Sequence, residues 1–167
     1  VLWNLNFNAF KDGSGWLFNA YRIFRRFGWY KGNFFKKWIA GLIEKKTGDR
    51  NATFRDISHM KEAHGFREVY MIGTNLSTRF SEVYSSELTP DMKLVDAVRI
   101  SMSIPLFFRA VRDAERDVLV DGGVLDNYPI KLFDREKYID PAERKTNSLS
   151  TPYYAKTNEA LAEGESN

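Results

Sequence analysis

The 167-residue chain has no cysteine, which excludes a disulfide framework, a thiolate metal site and a thiol nucleophile. Its two histidines, His59 and His64, fall in SHMKEAHGF, outside any metal-ligand pattern such as H-E-x-x-H. Structural roles at a polar helix end suit both, and a Ser-His-Asp triad lacks support. No apolar run approaches the roughly 18 residues that a membrane-spanning helix needs. There is no internal repeat or low-complexity tract. The nucleophile-elbow pattern G-x-S-x-G is also missing. Ser14 in KDGSGW has Asp12 and Trp16 at the flanking positions, and Ser103 in ISMSIP has Ser101 and Pro105.

What is present has the balance of a globular protein with one core, at 43% apolar and 28% charged residues. Aromatic content of 15%, with 13 Phe, 8 Tyr and 4 Trp, suits a Phe-rich core, a large apolar groove or a partner surface. Net charge is +3, but residues 16–46 set eight basic side chains against Glu44 alone, a local charge of +7 that leaves −4 elsewhere. The chain starts at Val1 rather than methionine, in VLWNLNFNAF, which reads as the inside of a folded domain. A processed or partial polypeptide is therefore expected.

Periodicity gives an α/β layered order. Leu17, Ala20, Tyr21, Phe24 and Phe27 recur at helical spacing opposite Arg22, Arg25 and Arg26, with Gly28 as the expected stop. A second helix carries Phe34, Phe35, Trp38, Ile39, Leu42 and Ile43, and TGDRN at 47–51 closes it. EVYMIGT at 68–74 reads as a buried strand, and Phe80–Tyr84 as another after the polar turn NLSTR. LVDAVRISM at 94–102 is helical up to Pro105, and SIPLFF is a turn into an apolar anchor. Residues 117–120 form the next strand, a glycine pair makes the turn, and Asn127 is positioned to cap a short helix through Pro129, Ile130 and Leu132. After Asp140-Pro141 the composition is that of a long loop or mobile tail.

The stretch VDGGVLDNYP sets Asp121 just past a strand, where open α/β sheets place chemistry. Gly122 and Gly123 permit positive φ and close backbone approach beside the carboxylate. Asp and Gly are equally ordinary turn formers, so the triplet by itself leaves both readings open. A calcium loop is excluded by spacing, since Asp113, Asp117, Asp121 and Asp126 lie four or five apart. A kinase magnesium aspartate lacks its H-R-D and V-A-I-K companions.

Taken in order, LVDAVRISMSIPLFF and then VDGGVLDNYPI resemble the patatin-like phospholipase family, whose signature couples a helix ending in S-x-S-I-P-x-x-F with a strand ending in D-G-G and a following N-x-P. VYMIGTNLSTR and TFRDI resemble that family's middle section. The resemblance covers roughly residues 16–135. It implies a patatin-like layered α/β domain with a central, mostly parallel sheet flanked by helices. It also implies that residues 1–140 are the later part of such a domain, incomplete at the N-terminal side, followed by a polar tail at 141–167.

The resemblance further implies a lipid acyl hydrolase of phospholipase A or esterase type that uses a Ser-Asp dyad and needs no cofactor or metal. By position Asp121 matches the dyad aspartate, with Gly122 and Gly123 forming the turn beside it. The family's glycine-rich oxyanion loop and nucleophile elbow precede this region and do not occur in the chain. The 167 residues alone are accordingly expected to be inactive, with the remaining N-terminal portion of the domain as a partner. A free aspartate with a pKa of about 3.9 is a poor base at neutral pH, so an apolar setting, from Val120, Val124 and Phe107 or Phe108, is expected to raise it.

The substrate class expected is a lipid or acyl ester. Arg22, Arg25, Arg26, Trp29, Lys36 and Lys37 fit a peripheral membrane interface with anionic headgroups, or else the solvated side of an ordinary amphipathic helix pair. Basic residues among aromatics also suit single-stranded nucleic acid, but no RNP or OB-type pattern accompanies them, so no nucleic-acid partner is expected. The alternative reading is a non-catalytic lipid- or membrane-binding module on a patatin-like scaffold. Compartment is left open, with no membrane-spanning segment expected.

Overall fold

A computed structural model describes residues 7–12, 23, 25 and 27–134. Of the helix expected over Leu17 to Phe27, Ile23 and Arg25 are described and helical, while its other positions up to Arg26, together with Ser14, Arg22 and the tail at 141–167, lie outside the described residues. Among those described are six strands: β1 Gly28–Tyr30, β2 Met71–Asn75, β3 Phe80–Tyr84, β4 Leu106–Phe108, β5 Val111–Arg112 and β6 Val118–Asp121. The helices are α1 Asn33–Thr47, α2 Phe54–His59, α3 Lys61–His64 and α4 Leu94–Ser101. Short 3₁₀ turns occupy Phe7–Phe10, Gly122–Val124 and Ile130–Leu132.

The chain is mixed α/β, but its main sheet is not the mostly parallel one expected. Four strands run in the order β3-β2-β6-β5, and every pair among them is antiparallel. Connection length explains two of the three pairs: β2 turns into β3 through Leu76 to Arg79, and β5 into β6 through Asp113 to Asp117, whereas a parallel neighbour needs a crossover of a dozen or more residues. Among the described residues, parallel pairing is confined to a separate two-stranded ribbon, β1 with β4, where Gly28 faces Leu106 and Tyr30 faces Phe108. The anchor expected from SIPLFF is therefore a strand.

β2 is the central strand and is buried from Ile72 through Asn75. On one face, α4 covers the sheet. Ile100, Ala97 and Leu94 pack with Leu119, Tyr84, Ala52 and Phe54 in the main core. On the other face, Ile72 packs with Leu132, joined by Tyr70 and Val83. Val120, wholly buried, belongs to the Ile72 side by alternation, while Leu119 and Asp121 share the side of α4.

α1 lies against α4 and buries Phe35, with Trp38, Ile39, Leu42 and Ile43 half-buried on its inner side. Its first turn has no capping side chain of its own. Instead Asp12 reaches across, accepting hydrogen bonds from the N–H groups of Gly32 at 2.7 Å, Asn33 at 2.6 Å and Phe34 at 3.2 Å. A carboxylate there satisfies orphan donors and meets the positive end of the helix dipole. Lys45 and Lys46 complement the other end, where Gly48 donates to the Glu44 carbonyl. The stop expected at Gly28 falls one residue earlier, because left-handed backbone is adopted by Phe27 (φ 60°) and Gly28 opens β1.

Candidate active site

The carboxylate of Asp121 stands on the last residue of β6. Two hydrogen bonds fix it. Its backbone N–H donates to the Ser103 carbonyl at 3.1 Å, tying the strand end to the loop that leaves α4. Its Oδ1 accepts from the Gly123 N–H at 3.1 Å, and this side-chain bond starts the 3₁₀ turn. Among the described residues Oδ2 has no hydrogen-bond partner, and the side chain is half-buried. The stretch is thus a tight turn and also a presented carboxylate. Of the two readings of VDGG left open by the sequence, the turn is the one the geometry shows.

Neither glycine takes the positive φ that the sequence suggested. Gly122 is required by crowding instead: a Cβ there would stand 2.6 Å from Ile72 Cγ2 and 2.7 Å from its carbonyl oxygen. Thr74, buried in β2, helps hold the same turn by donating to the Gly122 carbonyl at 3.4 Å. Gly123 is exposed, and a Cβ on it would lie 3.0 Å from Asn127 Oδ1 and 3.6 Å from Asp121 Oδ2. Asn127 does not cap the turn at Ile130–Leu132; that position is Pro129, with no side-chain bond.

The apolar residues expected around the carboxylate divide. Val120 and Phe108 are buried, and Phe108 packs on Phe35 under Arg99, so both are core. Phe107 and Val124 are exposed. The two segments that adjoin Asp121 carry further exposed apolar side chains, Met102 and Ile104 beside Ser103, and Leu125 just past the turn.

In ISMSIP the hydroxyl of Ser103 is committed within the chain. Ser103 is fully buried, its hydroxyl donating to the Arg99 carbonyl at 2.7 Å and accepting from the Arg99 guanidinium. His59 and His64 are exposed at the ends of α2 and α3, as expected for polar helix ends, and His64 stacks on Phe66. Among the described residues no group of three or more acidic or histidine side chains is placed to hold a metal ion.

Of the candidate interface residues, Arg25, Lys36 and Lys37 are exposed and Trp29 is half-buried in β1. Lys36 forms an ion pair with Asp96 of α4. Arg25 and Lys36 also line a cleft of about 990 Å³ together with Arg99, Arg109 and Arg112, and Asp121 is not part of that lining. No helix among the described residues is long and apolar enough to cross a membrane.

Sequence reasoning missed Arg99, the buried guanidinium behind this site. Its signal was a basic residue inside the apolar pattern LVDAVRISM, where a charge needs a dedicated set of acceptors.

A small mixed α/β unit, with a carboxylate turn after its inner strand and an S-I-P loop bonded to that turn, is the class defined by these observations. The model of the patatin-like phospholipase family matches residues 1–134, and the chain belongs to that family. It is 36% identical over 124 residues to the uncharacterized protein YqhO of Bacillus subtilis (strain 168), covering 69% of this chain and 39% of the relative. It is 33% identical over 117 residues to the uncharacterized protein R571 of Acanthamoeba polyphaga mimivirus, covering 70% and 36%. A probable lipid hydrolase, 463L of Invertebrate iridescent virus 6, is 25% identical over 96 residues, covering 58% and 31%. The chain thus spans about a third to two fifths of the length of the curated relatives it matches.

Proposed function

We propose that this chain contributes the general base of a lipid acyl hydrolase of phospholipase A or esterase type, with Asp121 as the aspartate of a Ser-Asp dyad. The observation that carries this reading is the geometry of Asp121. One carboxylate oxygen is engaged by the Gly123 N–H while the other has no partner among the described residues. The adjoining segments expose Met102, Ile104, Val124 and Leu125, which suits a substrate with an acyl chain.

In the reaction, Oδ2 accepts the proton of a serine hydroxyl as its oxygen bonds to the ester carbonyl carbon. The same proton then leaves with the alcohol when the ester C–O bond breaks. Water repeats the sequence on the acyl-enzyme and releases the fatty acid. In this reading the serine comes from outside these 167 residues, since none of their serines lies in G-x-S-x-G. The basic residues Arg25, Lys36 and Lys37 belong to this reading as a peripheral contact with anionic lipid.

Hydrolysis of a chromogenic fatty-acyl ester and of phosphatidylcholine vesicles tests it. The 167-residue chain is expected to be inactive and unlabelled by a fluorophosphonate. A polypeptide extended by the residues encoded before Val1 is expected to be active and labelled. In it Asp121→Asn should lower kcat by about 1,000-fold or more, since removal of a catalytic base in an interdependent pair costs on that order. Full activity in the Asn variant sinks the dyad assignment, and labelling of the short chain reveals an overlooked nucleophile. The lack of G-x-S-x-G in these residues also supports a second reading, a non-catalytic lipid-binding module. Vesicle binding by an extended polypeptide that hydrolyses nothing would select it.

A further inference from the structure

Arg99 is 6% exposed, and among the described residues no carboxylate forms an ion pair with it. A buried cation of this kind survives only if fixed dipoles replace its lost hydration. Its guanidinium accordingly donates to three acceptors on three segments. One is Ser103 Oγ in the loop after α4; the others, both at 2.9 Å, are the carbonyls of Lys31 after β1 and Arg109 after β4. Its Cζ lies over the Phe108 ring, 5.5 Å from the centroid. The neighbouring backbone is shaped to admit it: Gly32 (φ 74°) passes so close that a Cβ would come within 2.6 Å of the guanidinium. Burial, and then the charge of Arg109, push its pKa down to about 10, against an opposing pull from Asp12. It remains protonated at neutral pH.

The Ser103 that Arg99 holds through its side chain is the residue whose carbonyl accepts the Asp121 N–H. The Ser103 hydroxyl also closes back on the Arg99 carbonyl, and its N–H donates to the carbonyl of Ile100. The loop after α4 is thereby pinned on both sides, and the pinned carbonyl sets where the end of β6 stops.

The geometry points to Arg99 as the positioning residue of the site: through Ser103 it fixes the backbone of Asp121 and hence the direction of its carboxylate. The inference rests on the Asp121 reading above for its catalytic consequence, though not for its structural one. Lysine does not replace it. A compact ammonium cannot span acceptors on three segments, whereas the planar fork of arginine can.

Amide hydrogen exchange on the 167-residue chain tests the structural link, with Arg99→Lys and the milder Ser103→Ala as variants. The readout is the exchange rate of the Asp121 amide relative to the amides of the β2–β3 ladder, which cancels any global loss of stability. A rise of about tenfold or more in that ratio in either variant supports the link, because tenfold corresponds to the loss of roughly one net hydrogen bond. An unchanged ratio in both overturns it. In the active extended polypeptide the same variants should lower kcat about tenfold with KM within twofold, since a misdirected base weakens the transition state and not ground-state binding. A loss confined to KM overturns the positioning role. If Asp121→Asn were to leave hydrolysis intact, the base assignment would fail on its own, and the exchange ratio would still decide whether Arg99 positions this turn.

Discussion

Two turns in this chain begin alike and end differently. TNLSTR and VDGGVL each follow an apolar strand, and each opens on an Asx residue whose Oδ1 accepts backbone N–H groups two or three residues on. Asn75 is 2% exposed and wholly committed: Oδ1 accepts from Ser77 and Thr78, and Nδ2 donates to Glu82 at 2.7 Å and Asp117 at 2.9 Å. Asp121 spends one oxygen on its turn and presents the other. An amide between two carboxylates is a structural clamp, since it supplies the donors both need. A carboxylate with an acceptor to spare is what proton transfer requires.

The sharpest way to break this comparison is to exchange the two chemistries and measure stability. Asn75→Asp replaces the donor by an oxygen facing Glu82 and Asp117, and should cost about 3 kcal/mol at neutral pH, as for a buried group left among like charges. In the folded chain the new carboxyl would have a raised pKa, so the folded state holds the extra proton. The loss relative to the parent should therefore shrink as pH falls through that raised pKa towards the ordinary aspartate value of about 3.9, seen as converging Tm values in calorimetry. Asp121→Asn keeps an Oδ1 for the Gly123 N–H and should change stability by less than about 0.5 kcal/mol. Equal costs for the two exchanges would erase the distinction.

Gly122→Ala tests the turn from the other side. Its new Cβ must displace Ile72 or the backbone of β2, an overpacking cost of about 2 kcal/mol by denaturant midpoint. The same substitution at Gly123 meets only the ends of the Asn127 and Asp121 side chains and should cost less than half as much. If both glycines tolerate alanine equally, crowding does not explain the pair.

This contrast also shows why part of the molecule was legible in the sequence. LVDAVRISM gave α4 within one residue, and FSEVY gave β3 at both ends, because one amphipathic pattern and one polar turn fully determine each. The D-G-G turn was visible as well; of the two reasons offered for its glycines, positive φ is not used, and the close approach at Gly122 is that of Ile72, a neighbour fifty residues away. Strand direction was misjudged because the family resemblance outweighed the short links at Leu76–Arg79 and Asp113–Asp117. Arg99 was missed because its three acceptors lie on loops after separate elements, and one-dimensional periodicity does not report such convergence.

A third Asx residue, Asp56, completes the series. Asp56 accepts from both the N–H and the hydroxyl of Thr53 at 2.8 Å, while Thr53 Oγ1 accepts from the Asp56 N–H, a reciprocal capping box on α2. The Thr53 N–H, and then the Thr53 hydroxyl, hold the Asp56 pKa below its ordinary value. Because the folded pKa is the lower one, this stabilisation is present above the ordinary aspartate pKa of about 3.9 and is lost as pH falls through the folded value. Thr53→Ala should cost about 1 kcal/mol at pH 7. The difference from the parent should narrow below about pH 4, because protonation removes from both proteins what the hydroxyl gave to the charge. A gap that stays constant to pH 2 would mean that the hydroxyl acts on the helix through its bond to the Asp56 N–H alone. Asp56 would then be a bystander in its own cap, closer to the half-committed Asp121 than to the fully committed Asn75.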